Sequence, residues 1–162
     1  MNKNLLIYCV TNKDLAFLRK LEYKLAAVGK NKFSSDYINS DNLDNIFYKE
    51  EFYSELTFHY WFWKNELKKF IHRDDLWIGF CQKRRFWLQN KKNVEINFEN
   101  INDYLLKEIP EEWKNYDAII CEPIRVEVNK ISKLIKKGWR NLLKDPTIFF
   151  DKRKHSIKLH FD

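Results

Sequence analysis

Glycine and proline are scarce in this chain of 162 residues, at three each. With only Gly29, Gly79 and Gly138, neither common glycine-rich phosphate loop can form. That excludes a P-loop nucleotidase and a Rossmann dinucleotide fingerprint. Cysteine is equally rare. Cys9, Cys81 and Cys121 sit in apolar runs, and no two have metal-ligand or redox spacing. They read as buried free thiols of a reducing cytosol. No apolar run is long enough to span a bilayer, and the first residues, MNKNLLIYCVTNKD, are too briefly apolar for a signal peptide. No serine sits in a nucleophile elbow. The four histidines, His59, His72, His155 and His160, have neither metalloprotease nor zinc-finger spacing. There are no internal repeats and no low-complexity linker.

What is present is apolar, aromatic and basic. Hydrophobic residues make up 44% and charged residues 33%, which fits a globular domain and excludes a disordered chain. The length suits one domain over residues 1–162 with a real core. The formal net charge is +7, which suits nucleic acid, an anionic membrane surface or a phosphorylated small molecule, or simply a lysine-rich solvated surface.

Short apolar runs set the expected architecture. Leu5–Val10 reads as a buried first strand. Leu15, Leu18, Leu21 and Leu25 recur at helical spacing, so a helix is expected from Asp14 to a stop at Gly29. Residues 30–50 are rich in Ser, Asn and Asp and read as a long polar loop. A helix is expected over 54–70, with Leu56, Tyr60, Trp63 and Leu67 as its core stripe. Asp75–Gln82 and Tyr116–Pro123 read as further buried strands, and Asn93–Phe98 as a half-exposed one. A helical stretch is expected over Ile101–Lys107, a basic helical region after Val126, and a final strand near the end. Strands separated by helices imply an α/β fold with a mostly parallel sheet flanked by helices. Ligands of such sheets gather at the carboxyl ends of the strands. Here those ends would be Thr11-Asn12, Gln82–Arg85 and Glu122–Arg125.

Three groups could carry chemistry. Glu55 and His59 lie four apart on one helix, so an imidazole could orient a carboxylate as a general base; a surface ion pair is the plain alternative. The run GFCQKRRFW takes a strand directly into Lys83, Arg84 and Arg85. Arginine forks suit diphosphate oxygens, and Phe86 and Trp87 could stack on a base or sugar, although a solvated basic turn would look the same. Asp41, Asp44 and Asn45 cluster in a loop, where carboxylates can hold Mg²⁺ or Mn²⁺ or bond a ribose hydroxyl.

These pieces together resemble the bacterial family known as domain of unknown function 4422. The matching residues are Asp44-Asn45-Ile46, Glu55-Leu56-Thr57, Tyr60-Trp61, Trp63-Lys64-Asn65, Gly79, Cys81, Arg84-Arg85 and Phe86. The resemblance runs over about residues 24–87 and extends more weakly to about 125. Gln82 stands where the family carries a histidine; it can hydrogen-bond but cannot shuttle a proton. His59 stands where the family commonly has an aliphatic residue.

The resemblance implies an A-type glycosyltransferase-like fold. It implies transfer of a sugar from a nucleotide-diphosphate sugar to a glycan acceptor, in capsular, exopolysaccharide or lipopolysaccharide synthesis. Arg84 and Arg85 would neutralise the diphosphate. Asp41, Asp44 and Asn45 would hold ribose, base or a Mn²⁺ or Mg²⁺ ion. Glu55 would be the catalytic base or an acceptor ligand. Lys64, Asn65 and Gln82 would line the cleft, and Trp87 would stack on a sugar or base. The partners expected are the nucleotide sugar and the acceptor, in the cytoplasm and with peripheral contact at the inner membrane left open. Nucleic acid is not expected. The rival readings are a non-catalytic basic module for nucleic acid or an acidic polymer, and a shortened or inactive relative of the enzyme.

Overall fold

The computed structural model describes residues 4–89 and 95–121. The chain divides into two compact units, Met1–Asp117 and Ala118–Asp162. The first holds all the regular structure described. In the second only residues 118–121 are described, and they are irregular.

Four strands make one parallel sheet: β1 (Leu5–Thr11), β2 (Lys24–Ala27), β3 (Tyr37–Asn39) and β4 (Trp77–Gln82), in the order β3-β2-β1-β4. Every pairing is parallel, with Cys9 opposite Leu25 on one side and Cys81 on the other. All seven residues of β1 are buried, which is why the run LLIYCVT lacks alternation: a central parallel strand is covered on both faces. The two faces follow the pleat. Leu5, Ile7, Cys9, Leu25, Ala27 and Cys81 pack with Leu18, Leu21, Tyr23, Ile101, Leu105 and Leu106. Leu6, Tyr8, Val10, Ala26 and Val28 pack with Phe58, Trp61 and Phe62.

The helices between β3 and β4 are α1 (Glu50–Tyr53) and α2 (Leu56–Asn65), separated by Ser54 at φ 47°. A short 3-10 turn, Leu67–Phe70, follows. On α2 the rings of Phe58 and Phe62 meet Tyr8 at 5.6 and 5.0 Å, and Phe62 meets Phe80 at 5.3 Å. A last short helix, α3 (Ile101–Tyr104), closes the other face. There the Tyr23 hydroxyl donates to the Trp87 carbonyl at 2.6 Å and the Leu106 carbonyl at 3.3 Å.

Several expectations are corrected. The helix expected over residues 14–29 is absent. In its place are a 3-10 turn at Leu18–Lys20 and the strand β2. The leucine spacing matches a helix, but Leu18 and Leu21 pack against one face of the sheet as a turn, and Leu25 joins the sheet. The polar stretch 30–50 contains β3, because Tyr37 is buried against β2. The core stripe of α2 lies elsewhere on the helix: Thr57, Phe58, Trp61 and Phe62 are buried, while Leu56 and Trp63 are 56% and 57% exposed. Both sets have helical spacing, so periodicity alone does not choose between them. Residues 95–97 and 117–121 are irregular, not strands. Residues 93–94, Glu122–Arg125, the basic region after Val126 and the final segment lie outside the described residues. Cys9 and Cys81 are buried as expected, but Cys121 is exposed.

Candidate active site at the carboxyl edge of the sheet

Because all four strands run the same way, their carboxyl ends share one edge. Loops leave the sheet there through polar residues, four of them basic and one acidic: Asn12-Lys13 after β1, Gly29-Lys30-Asn31 after β2, Ser40-Asp41 after β3 and Lys83-Arg84 after β4. Hydrogen bonds tie three of these loops together at Asn12. The Asn31 amide donates to the Asn12 carbonyl at 2.6 Å. The Lys83 ammonium donates to the Asn12 side-chain oxygen. Thr11 stiffens the base of the first loop, where its hydroxyl donates to the Lys13 carbonyl at 2.9 Å and accepts from the Lys13 N–H at 3.0 Å. The buried Ser40 hydroxyl donates to the Ala27 carbonyl at 3.0 Å and so binds the ends of β2 and β3.

A cleft of about 340 Å³ opens at the ends of β2 and β3. Gly29, Lys30, Asn31, Asn39, Ser40 and Asp41 supply polar walls, and Phe33 and Phe47 supply rings. This size lies at the small end of ligand pockets. Gly29 has φ +81°, and a Cβ there would stand 3.1 Å from the Glu50 carboxyl carbon. The missing side chain thus lets the Glu50 carboxylate lie directly over the end of β2.

The β4 end carries the charge. Gln82 and Arg85 exchange backbone hydrogen bonds of 3.1 and 3.0 Å, closing a tight turn with Lys83 and Arg84 at its tip. Burial, Lys13 and Arg84 together push the Lys83 ammonium below its ordinary range, and Glu55 offsets this in part. Three cations therefore share one neighbourhood. An anion bound there would relieve their repulsion, whereas solvent alone only screens it. Glu55 immediately precedes α2.

The residues expected from sequence do not all gather at this edge. Asp41 lines the cleft. Gln82, Arg84 and Arg85 form the β4 turn, and all three are exposed. Glu55 acts electrostatically on both Lys83 and His59. The His59 ring packs on Phe80 at 4.4 Å, and its burial lowers its pKa, so it is neutral at pH 7. The remaining five have structural partners. Asp44 accepts from the Tyr60 hydroxyl at 3.1 Å, and its carbonyl accepts from Asn65 at 2.8 Å. Asn45 accepts from the Phe47 N–H at 3.1 Å in a local turn. Asn65 also donates to the Trp61 carbonyl at 2.8 Å, which fixes the end of α2. The Lys64 ammonium lies 4.0 Å over the exposed ring of Trp63. Trp87 donates to the Phe80 carbonyl at 2.9 Å and packs edge-on to Trp113, so its ring belongs to the core rather than to a stacking platform.

Among the described residues no three of His, Cys, Asp and Glu gather to hold an ion. Of the two loop aspartates only Asp41 lines the cleft. The described residues do not form a metal cage by themselves.

Sequence reasoning missed Lys30 and Asn31, because reading β2 as a helix hid the strand end that carries them, and missed Ser40 and Glu50, because the stretch 30–50 read as loop and so hid β3 and the start of α1. The signal was available in LAAV followed by Gly29, a small-residue apolar run with a stop.

Residues 6–145 match the family described as "Domain of unknown function (DUF4422)". The chain belongs to this family. No curated protein and no solved structure matches it. The match spans most of the described sheet and the basic β4 turn, so the family segment and the candidate site coincide in sequence.

Proposed function

We propose that this DUF4422 protein is a glycosyltransferase whose donor is a nucleotide-diphosphate sugar, bound along the carboxyl edge of the sheet. One observation carries the reading: Lys13, Lys83 and Arg84 share a positive field beside a polar cleft at the ends of parallel strands. A diphosphate would sit against these cations. The cleft, with Asp41, Asn31 and the two phenylalanine rings, would take the nucleoside. Glycosyl transfer builds negative charge on the departing diphosphate, and fixed cations there lower the barrier without reorganising. Glu55 would accept the proton of the attacking acceptor hydroxyl, held near Lys83 and the unprotonated His59. The acceptor would be a glycan of surface polysaccharide synthesis, as the family resemblance implies.

A thermal-shift screen tests this reading. UDP-, GDP- and dTDP-sugars should be compared with CMP-sugars, with and without Mn²⁺. A diphosphate donor should raise Tm in a saturable way by linkage, and the single phosphate of a CMP-sugar should do so less. No response to any donor would overturn it. The rival, a module for nucleic acid or another acidic polymer, predicts binding that falls steeply with salt because many phosphates are neutralised at once.

A further inference from the structure

The cleft residues Asp41 and Phe47 are the two ends of one loop. Asn42, Leu43 and Asp44, between them, are exposed. Such a loop buries little of its own to fix it. Ordering it costs conformational entropy, and a ligand bears that cost unless the loop is already held.

Helix α2 holds it. The Trp61 indole N–H donates to the Asn42 carbonyl at 3.0 Å and to the Asn42 side-chain oxygen at 2.9 Å. The Asn65 amide donates to the Asp44 carbonyl at 2.8 Å and, one turn back, to the Trp61 carbonyl at 2.8 Å. The Tyr60 hydroxyl donates to the Asp44 carboxylate at 3.1 Å. Trp61 is itself anchored: it is buried, and its ring stacks on the fully buried Phe58 at 5.6 Å. Asn45 carries the constraint onward. Its amide donates to the Leu43 carbonyl at 2.9 Å, and its side-chain oxygen accepts the Phe47 N–H at 3.1 Å. Leu43 has φ 54° and stands between the two fastened residues. A residue other than glycine stays in that region only where its surroundings hold it, and such strain gathers where a site needs fixed geometry. A loop that only joins β3 to α1 gains nothing from it.

We propose that Trp61 and Asn65 are positioning residues for the nucleoside end of the cleft. From α2 they hold residues 42–45, and through them Asp41 and Phe47, in the arrangement that receives the nucleoside. The inference rests on the nucleotide-sugar reading of the cleft given above. Asp44 and Asn65, which the sequence offers as ligand groups, act instead one step behind the cleft wall.

Calorimetric titration of UDP, GDP and dTDP into the full chain tests this. Asn65→Leu keeps the side-chain volume and removes both donated bonds. Trp61→Phe keeps a ring and removes the indole N–H. Each should weaken the best-bound nucleotide roughly three- to tenfold. Thermal melting checks that each variant is folded; Asn65 is only half-buried, so Asn65→Leu carries the test should Trp61→Phe fail to fold. The decisive reading is coupling. In an Asp41→Ala background the Asn65→Leu loss should shrink, because a group being positioned is gone. In an Arg84→Ala background it should persist in full, because Arg84 belongs to the β4 turn. A role in stability alone would not separate the two backgrounds. Wild type that binds a nucleotide while Asn65→Leu binds it as tightly would overturn the proposal, and so would equal losses in both backgrounds. Wild type that binds none of the three would remove the nucleotide-sugar reading itself, and this inference with it.

Discussion

The Lys83 ammonium donates to the Asn12 side-chain oxygen, so the loop after β4 is tied to the loop after the neighbouring β1. Asn12 also takes the Asn31 amide on its carbonyl. One residue thereby joins the ends of three strands and holds Lys83 close to Lys13, where the two cations repel. Asn12→Ala should free both loops. Because Asn12 is partly exposed, stability should fall by only about 1 kcal/mol in urea denaturation. Donor binding should weaken more than that if the loops form the site, and calorimetric titration reads the difference.

Gly29 makes a second, purely conformational prediction. Its φ of +81° lies where side chains are strained, and a Cβ would press on the Glu50 carboxyl group. Gly29→Ala should cost roughly 1–2 kcal/mol from the backbone alone. Adding Glu50→Ala should recover only the part that comes from the clash. A double-mutant cycle by chemical denaturation separates the two. Full recovery would show that the backbone is not held as described.

The two faces of α2 should respond oppositely to truncation. Phe58 is fully buried and touches Tyr8, Trp61 and Phe80. Phe58→Ala should cost about 3–5 kcal/mol. Trp63→Ala, on the exposed face, should change stability by about 0.5 kcal/mol or less. Similar losses at both positions would mean that Trp63 is covered in the isolated chain.

His59 predicts a pH effect with a definite sign. Burial holds its pKa below the ordinary 6.5 in the folded chain. Between the folded and unfolded values the unfolded chain binds more protons, so stability rises with pH across that window. As pH falls below 6.5 the contribution is lost, and the loss is complete once pH is below the folded value. Melting temperatures should therefore drop over this range in the wild type, and less in His59→Leu. An unchanged slope would assign the titration to another group.

The sequence disclosed the parts of the fold that burial makes unambiguous. Leu5–Val10 and the strand ending at Gln82 are short apolar runs with turn residues after them, and both are strands. β2 was illegible because Leu15, Leu18, Leu21 and Leu25 fit a helix, while the long-range pairing of Leu25 with Cys9 that decides the matter leaves no local trace. The existence of α2 was legible, but its orientation was not. Phe58, Trp61 and Phe62 and the set Leu56, Tyr60, Trp63 and Leu67 are equally good stripes. Of the expected site residues, the β4 turn and Asp41 could be placed because strand ends and loops attract ligands. Asn45, Asn65 and Trp87 look like site residues by type. Their hydrogen bonds show that they cap a turn, end a helix and fill a core.

Calorimetric titration of a nucleotide-diphosphate sugar into the wild type, Lys83→Ala and Arg84→Ala tests the central claim most directly. Arg84 is exposed, and its loss should leave the fold in place; Lys83 is half-buried and tied to Asn12, so the melting curve of Lys83→Ala is measured alongside its affinity. A lost charge-assisted hydrogen bond is worth about 1.5–3 kcal/mol, so each variant should bind roughly tenfold or more weakly. Donor affinity unchanged in both variants, or no saturable binding in the wild type, would contradict a diphosphate site at this edge of the sheet.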